Sequence, residues 1–460
     1  MRDQIEYYRD EAVRSRLSEF IKGAEHIVGY GEAVIRDKNP KAYYSAPSSH
    51  LHSMMERGLD IFCSILGYEG TLMSLDMEYY NPKCPGEIYI DADNVYKNKI
   101  EPIREIVKSV YRDLGIKYLE VITGQGYHYH SLWPFKNEHW QLEKIGQLEW
   151  TLEQQYINRR SRYGHPSLPI YKGLGHSGAF RLLQFVSLEI MRRAFELREK
   201  NKKIIPVQFC DIAMLPPEGV SLDLTIYSDP IYMRVIRVPF STHQKHKVKR
   251  REIGEDVSDH IPVQITLPTG DISIDDILKM RRHFRWASDY AKDSKSSCVI
   301  PDGSAGWLNV LSKYKDSKLC EFHRKFGAVS YEKESDWQKT YYALNLNELP
   351  PCVTHSITEP EPHLKKPTNI RKIVAILLKK GWDYKHIAGF LYSHSKGLSD
   401  FSFNKYNAET RANFFVQLYG APIYLGIDKL PDMNCVSHQE TGYCIKPWCG
   451  YNLREAENGE

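Results

Sequence analysis

The chain has 460 residues, of which 42% are apolar and 26% are charged, a composition typical of a folded protein with roughly three domains. Basic residues exceed acidic residues by only 62 − 58 = 4, so net charge gives no indication of a nucleic-acid partner. No uncharged apolar run approaches the ~18 residues of a membrane helix, the start lacks a signal peptide's apolar stretch, and nine scattered cysteines argue against a disulfide framework. We therefore expect an intracellular protein of the cytoplasm or nucleoid, neither secreted nor membrane-bound.

The first part of the chain is predicted to combine helices with a strand-rich stretch. Residues 1–60 have apolar side chains near helical spacing, and residues 71–93 have strand-like composition. Within that stretch, residues 87–93 (Glu-Ile-Tyr-Ile-Asp-Ala-Asp) are predicted to form a strand that runs into a polar end. A helix should begin near Pro102 and end at Gly115.

The central part is predicted to alternate strands and helices. Residues 118–122 and 127–132 should form strands joined by the Gly-rich turn 123–126. Helices are expected over 140–200, with an interrupting loop at 164–178. Strands should return over 207–239. This order predicts an α+β fold.

Two carboxylates lie two residues apart at the end of the predicted strand. Asp91 and Asp93 would point to the same face of a strand, because side chains alternate. Carboxylates held in this way favour a hard cation such as Mg²⁺ or Mn²⁺. A solvated turn is the plainer interpretation, and an EF-hand is excluded because Tyr96 occupies the position that requires glycine.

Further polar residues follow two later strands. His128 and His130 come after the Gly-rich turn, where an imidazole could reach a phosphate. Asp223 is followed by Arg237, Ser241 and His243, a mixture of an acid, cations and a hydroxyl that suits phosphoryl transfer. A basic stripe then comprises Lys245, Lys247, Lys249, Arg250 and Arg251. It could neutralise nucleic-acid phosphates, or it could be a solvated loop.

Cysteines concentrate near the end of the chain. Cys435, Cys444 and Cys449 follow the pattern Cys-x8-Cys-x4-Cys, and Cys352 follows two prolines. Four thiolates suit an iron–sulfur cluster or zinc, and His438 offers zinc an alternative ligand. Unrelated buried cysteines are the remaining interpretation.

Four of these segments, in this order, resemble the archaeo-eukaryotic primase superfamily. Residues 88–93 are similar to its first motif, an apolar strand that ends in Asp-x-Asp. Residues 123–128 (Thr-Gly-Gln-Gly-Tyr-His) are similar to the second, and Leu222-Asp223 to the third. Residues 237–243 (Arg-Val-Pro-Phe-Ser-Thr-His) resemble the basic-x-Pro-x-Ser-x-His signature of the primase small catalytic subunit. The likeness covers roughly residues 1–260.

A second resemblance covers roughly residues 340–455. Pro350-Pro351-Cys352, a helix predicted over 370–380, Gly381 and a further helix are similar to the iron–sulfur domain of the primase large subunit. Cys435, Cys444 and Cys449 match the places of that domain's other three cysteines.

The resemblances imply a primase-polymerase core with an RRM-like sheet over residues 1–260, a helical middle region over 261–340, and a helical cysteine-cluster domain over 341–460. They imply a DNA primase-polymerase, a nucleotidyltransferase that makes primers from nucleoside triphosphates on single-stranded DNA. Replication proteins such as a replicative helicase are implied as partners.

The site roles implied are as follows. Asp91, Asp93 and Asp223 would hold two Mg²⁺ or Mn²⁺ ions, and the four cysteines a [4Fe–4S] cluster, with Zn²⁺ as the alternative. Nucleotide binding is assigned to His128, Arg237, Ser241 and His243. Nucleic-acid binding is assigned to Lys245, Lys247, Lys249, Arg250, Arg251 and Arg371.

Two other functions remain open from the sequence. One is a repair or translesion polymerase that extends primers without starting them. The other is a non-catalytic nucleic-acid-binding subunit that retains the fold. An ATPase of the P-loop type is disfavoured, because the sequence contains no Gly-x4-Gly-Lys-[Ser/Thr].

Overall fold

A computed structural model describes most of the chain. The described residues are 2–31, 44–158, 168–209, 218–228, 235–328, 341, 345–359, 367–393, 400–401, 404–405, 408–427, 435–440 and 442–453. The chain divides into two units. The first comprises Met1–Gly146, Arg159–Asp211 and Pro217–Leu311, and the second comprises Gln147–Asn158, Ile212–Pro216 and Ser312–Glu460.

The first unit contains the two larger sheets. Its strands are β1 Ile27–Tyr30, β2 Tyr44–Ala46, β3 Asp60–Ser64, β4 Gly70–Tyr80, β5 Leu119–Ile122, β6 Gly126–Pro134, β7 Val207–Phe209, β8 Gly219–Asp223, β9 Val235–Arg237, β10 Thr242–His243, β11 Gln264–Ile265 and β12 Leu267–Pro268. One sheet has six strands in the order β12-β5-β6-β4-β8-β7, in which only the β7–β8 pair is parallel. A four-stranded sheet has the order β2-β1-β3-β9, and β10 pairs with β11.

Helices surround these sheets. Those of the first unit are Arg2–Arg9, Glu11–Ile21, Leu51–Glu56, Glu87–Ile90, Ala92–Asn94, Glu101–Leu114, Trp140–Ile145, Ile170–Lys200, Lys245–Val248, Arg250–Ile253, Glu255–His260, Ile274–Met280 and Phe284–Ala291, with a π-helical segment at Val95–Ile100. Short 3-10 turns occur at Ser48–His50, Thr225–Tyr227 and Ser294–Ser296. The longest helix, Ile170–Lys200, packs against β4.

The second unit is mainly helical in its described residues. Its helices are Trp150–Asn158, Lys318–Ala328, Pro351–Thr358, Pro367–Lys379, Tyr384–Ser393, Ala408–Tyr424 and Cys435–Glu440, with a 3-10 turn at Leu346–Glu348. Ser304–Lys315 crosses the boundary between the two units. Two very short strands, β13 Asp400–Phe401 and β14 Asn404–Lys405, pair with each other.

The prediction of an α+β fold is confirmed. The helix expected after Pro102 is Glu101–Leu114, and Gly115 ends it with a φ of 71°, a conformation that glycine adopts easily. The loop predicted over 164–178 is wrong from Ile170 onward, because the long helix begins at that residue. Residues 164–167 lie outside the described residues.

The strand predicted over 87–93 is also wrong. Glu87–Ile90 and Ala92–Asn94 are short helices. The apolar alternation is misleading, because Ile88 and Tyr89 are both buried while Ile90 is 57% exposed. Consecutive buried residues are inconsistent with a two-residue repeat.

Residues 261–311 belong to the first unit and not to a separate middle region. β11 pairs with β10, and β12 pairs with β5 at the edge of the six-stranded sheet. Backbone hydrogen bonds in these pairs hold this segment to β10 and β5.

Candidate active site on the six-stranded sheet

Three carboxylates converge on one face of the central strand β4. Asp76 and Glu78 point to the same face, because they lie two residues apart in a strand. Asp76 is directly opposite Asp223 on β8. Residues paired in this way have Cβ atoms about 5 Å apart. The side chains of Asp76 and Glu78 are 29% and 24% exposed, so the cluster is open to solvent at one side.

His128 completes a row across three strands. Asp76 faces His128 on β6 as well as Asp223 on β8, and His128 Nε2 lies 3.3 Å from Asp76 Oδ1. Burial raises the pKa of Asp76; His128 partly offsets this effect, and the negative charges of Glu78 and Asp223 add to it. Three neighbouring carboxylates are therefore under mutual repulsion that a bound cation would relieve.

Glu78 has a cationic partner from the basic stripe. Lys245 Nζ donates to both carboxylate oxygens of Glu78, at 3.1 and 3.4 Å. Burial alone would raise the pKa of Glu78, but the Lys245 ammonium holds that pKa below its ordinary value. Lys245 thus reaches the carboxylate cluster and is not part of a free surface stripe.

The Gly-rich turn lies directly against His243. The turn is closed by a hydrogen bond from Thr123 N to Gly126 O. Gly124 touches the imidazole of His243, and a Cβ at position 124 would collide with that ring. His243 is buried, and its Nδ1 has no hydrogen-bond partner among protein atoms. Burial lowers the pKa of His243 well below its ordinary value, and nearby cations lower it further, so the ring is neutral near pH 7.

A buried network positions His243. Asp60, which is fully buried, accepts hydrogen bonds from Arg237 Nη1 at 2.7 Å, from Thr242 Oγ1 at 2.8 Å, and from the backbone and side chain of Gln244 at 2.8 Å. The Ser241 hydroxyl accepts from Ile61 N at 2.6 Å and donates to Thr242 O. These bonds hold the segment on both sides of His243.

This arrangement changes the expectation for two residues. The resemblance assigns Arg237 and Ser241 to nucleotide binding, and in the structure both side chains form hydrogen bonds within the protein. Arg237 is an ion-pair partner of Asp60, and its guanidinium lies over the Phe62 ring. Their evident role is to position β9, β10 and His243.

The side chains of Asp91 and Asp93 point in different directions, and each makes contacts at the protein surface. Asp91 Oδ2 accepts a hydrogen bond from Asn94, and Asp93, with a side chain 55% exposed, pairs with Lys97 at 3.5 Å and Arg282 at 3.6 Å. The expectation that strand geometry aligns them is wrong, because neither residue is in a strand: Asp91 lies between two short helices and Asp93 lies in the second of them. The carboxylates that the structure places beside Asp223 are Asp76 and Glu78.

The rest of the basic stripe forms two short helices. Lys249 lies 4.0 Å from Glu252, and Arg250 lies 3.8 Å from Asp259. Lys247 is half-buried and Arg251 is exposed. The basic stripe is therefore helical, and its first residue, Lys245, contacts the carboxylate cluster.

The four C-terminal cysteines lie near one another in the second unit. Burial raises the pKa of the Cys352 thiol to about 12, and Cys444, Cys449 and Cys435 each contribute to that rise. All four are free thiols. The His438 carbonyl accepts a hydrogen bond from Cys444 N at 3.0 Å. Burial lowers the pKa of the His438 imidazole to about 3, with help from Lys372. Arg371 lies in the predicted helix, which the structure places at Pro367–Lys379.

The donor types at both places fit the metals expected from the sequence. Carboxylate oxygens suit Mg²⁺ or Mn²⁺, and four thiols suit an iron–sulfur cluster or zinc. Within the described residues, no three His, Cys, Asp or Glu side chains are already arranged as a metal coordination group.

Asp76 and Glu78 are absent from the site predicted from the sequence, although the sequence contains a signal for them. Residues 74–78 read Ser-Leu-Asp-Met-Glu, in which the buried Leu75 and Met77 alternate with the two acids. That alternation is the pattern of a strand with one polar face. Asp60 had no comparable local signal, because its partners lie roughly 180 residues away.

No protein-family model matches the chain. No curated protein matches it. None of the helices in the ranges given above combines the length and the apolar character needed to cross a membrane.

Proposed function

We propose that this protein is a DNA primase-polymerase, a nucleotidyltransferase that joins nucleoside triphosphates on a single-stranded DNA template. The observation that carries the proposal is the convergence of Asp76, Glu78 and Asp223 on one sheet face, beside His128. A binding module has no need of three half-buried carboxylates in mutual repulsion, whereas phosphoryl transfer uses such a group to hold divalent metals.

Asp76, Glu78 and Asp223 would hold two Mg²⁺ or Mn²⁺ ions. When bound, such ions activate an attacking hydroxyl and neutralise the leaving pyrophosphate. Lys245 neutralises the charge of Glu78. When substrate binds, the Lys245 ammonium leaves Glu78 and pairs with the negative charge of the substrate. The row formed by His128, Asp76 and Asp223 would position the reacting phosphate across three strands.

Nucleotide binding is proposed for the two histidines next to the carboxylates. His128 Nδ1 and His243 Nδ1 are both buried, and neither has a hydrogen-bond partner in the ranges that the structure describes. A neutral imidazole can donate one hydrogen bond to a phosphate oxygen. The Gly124 backbone, which touches His243, allows the substrate to approach closely.

Nucleic-acid contacts are proposed for the remaining cations of the stripe. Lys247, Lys249, Arg250 and Arg251 follow Lys245 directly and would contact the template or primer backbone. The cysteine cluster of the second unit, with Arg371, would bind the 5′ end at which synthesis starts. A replicative helicase is a proposed partner.

De novo synthesis on an unprimed template tests the proposal. The purified protein would be incubated with single-stranded DNA, Mg²⁺ or Mn²⁺, and either ribo- or deoxyribonucleoside triphosphates. We expect template-dependent oligonucleotides that begin with a 5′ triphosphate. Synthesis only from an added primer would identify an extending polymerase instead, and no synthesis in either case would identify a binding subunit.

A further inference from the structure

Arg281 is a buried cation with no counter-charge. It follows the helix Ile274–Met280, and its side chain is fully buried. Its Nη2 donates to Gln264 Oε1, and its Cζ lies 5.0 Å from the centroid of the Tyr96 ring. Nε and Nη1 have no hydrogen-bond partner among the described residues. In the part of the chain that the structure describes, Arg281 has no carboxylate partner.

Such an arrangement is unfavourable unless an anion joins it. A guanidinium stays protonated in proteins, and an unpaired charge in the interior loses its hydration without compensation. Cation–π contact with one tyrosine offsets only part of that loss. A buried arginine with two free donor nitrogens therefore indicates a binding partner that is negatively charged.

Several polar groups around Arg281 also have no hydrogen-bond partner among the described residues. Gln264 is directly opposite His243 in the β10–β11 ladder, so their side chains lie on the same face. Within the described part of the chain, Gln264 Nε2, His243 Nδ1 and the Tyr89 hydroxyl have no hydrogen-bond partner, and the Tyr89 and His243 ring centroids are 6.2 Å apart. All of these groups can donate hydrogen bonds. A cluster of donors around a cation is suited to phosphate oxygens.

The cluster adjoins the candidate active site. Tyr96, under the guanidinium, donates to Thr123 O in the Gly-rich turn at 2.7 Å. His243 touches Gly124 in the same turn. Arg281 is therefore on the side of the site where the turn and β10 meet.

We propose that Arg281 binds the phosphate groups of the incoming nucleoside triphosphate. The inference rests on the proposed function and adds a residue from outside the sequence motifs. Because Arg281 is fully buried, neighbouring side chains must move for a phosphate to reach it. Nε and Nη1 then each donate a charge-assisted hydrogen bond, and because they point to different sides of the guanidinium they bond to different phosphate oxygens.

Binding of dATP to Arg281→Met and Arg281→Lys, measured by calorimetry, tests the inference. Methionine keeps the volume and removes the charge. We expect Arg281→Met to weaken dATP binding by about 10- to 100-fold, and Arg281→Lys to weaken it less, because lysine keeps the charge and loses the separately directed donors of the guanidinium. The matched control is Arg282→Met, which removes the next arginine and should bind dATP as the wild type does.

Stabilisation by Mn²⁺ shows whether the site is folded in each variant. Arg281→Met should retain the wild-type shift in Tm on Mn²⁺ addition, because the three carboxylates are intact. Wild-type dATP affinity in Arg281→Met would overturn the inference, whether or not the protein polymerises. The two proposals can fail separately. If the wild-type protein makes no polymer, and Arg281→Met loses the dATP binding that the wild type shows, the proposed function fails and the Arg281 assignment stands.

Discussion

Asp76 on β4 lies directly opposite Asp223 on β8, so two carboxylates from distant parts of the chain emerge side by side on one face of the sheet. Like charges in facing positions destabilise a pair of strands. Burial adds to this cost by raising the pKa of Asp76. The arrangement is therefore unfavourable for stability, and the proposed binding of a divalent cation would relieve the repulsion.

Asp76→Asn should make the protein more stable near pH 7 when a chelator is present. The pKa of Asp76 is raised in the folded protein, so its charged form is disfavoured there. The cost is present above the folded pKa and disappears as the pH falls towards the ordinary value of about 3.9. We expect a rise in Tm of about 2 °C at neutral pH and no difference at low pH, measured by thermal unfolding. A lower Tm for the variant at neutral pH would contradict this explanation.

Mn²⁺ should reverse that order. A metal that binds the folded protein raises its Tm by mass action, so the wild type should gain stability while Asp76→Asn gains little. The matched control is Asp93→Asn, which removes a surface carboxylate outside the cluster and should respond to Mn²⁺ as the wild type does. Equal shifts for wild type and Asp76→Asn would show that the metal binds elsewhere.

Gly124→Ala should impair nucleotide binding through His243. The added Cβ collides with the buried imidazole, so the ring must move or the turn must shift, at a cost of about 1–3 kcal/mol. We expect the KM for nucleotides to rise by about 10-fold in steady-state incorporation assays. If the effect passes through His243, Gly124→Ala combined with His243→Ala should be no worse than His243→Ala alone. Additive losses would show that Gly124 acts through a different contact.

The cysteine cluster should bind one metal centre per chain. Protein purified without air is expected to be brown with broad visible absorbance and four irons, or colourless with stoichiometric zinc, and Cys352→Ser should lose the metal in either case. Cys320→Ser is the control, because Cys320 lies in the helix Lys318–Ala328 of the same unit, outside the cluster. Metal-free wild-type protein, or full metal content in Cys352→Ser, would refute the centre.

Local sequence patterns are sufficient where short-range physics decides the structure. The helix Glu101–Leu114 could be predicted because a proline near its start, an apolar face and a terminal glycine all agree. The strands on both sides of the Gly-rich turn follow from comparable signals. Each of these requires only neighbours along the chain.

The errors arise where tertiary contacts decide the structure. Residues 87–93 alternate like a strand, yet Glu87 is bonded by Tyr79, Asn81 and Lys99, and the segment forms helical turns. The acid pair that lies beside Asp223, Asp76 and Glu78, could have been found from its alternation with buried residues. The pairing of Arg237 with Asp60 and the buried position of Arg281 depend on segments far apart in sequence, and no local pattern indicates them.

Template-directed nucleotide incorporation by Asp76→Asn combined with Glu78→Gln tests the central claim most directly. The control is Asp91→Asn combined with Asp93→Asn, which removes the two acids that the sequence pattern favoured and the structure places on surface helices. With Mn²⁺, a primed template and labelled nucleotides, we predict that the control retains wild-type incorporation while the first variant loses at least ~100-fold, the scale expected when metal-assisted charge stabilisation is removed. Retained incorporation by the first variant, with loss in the control, would contradict the account.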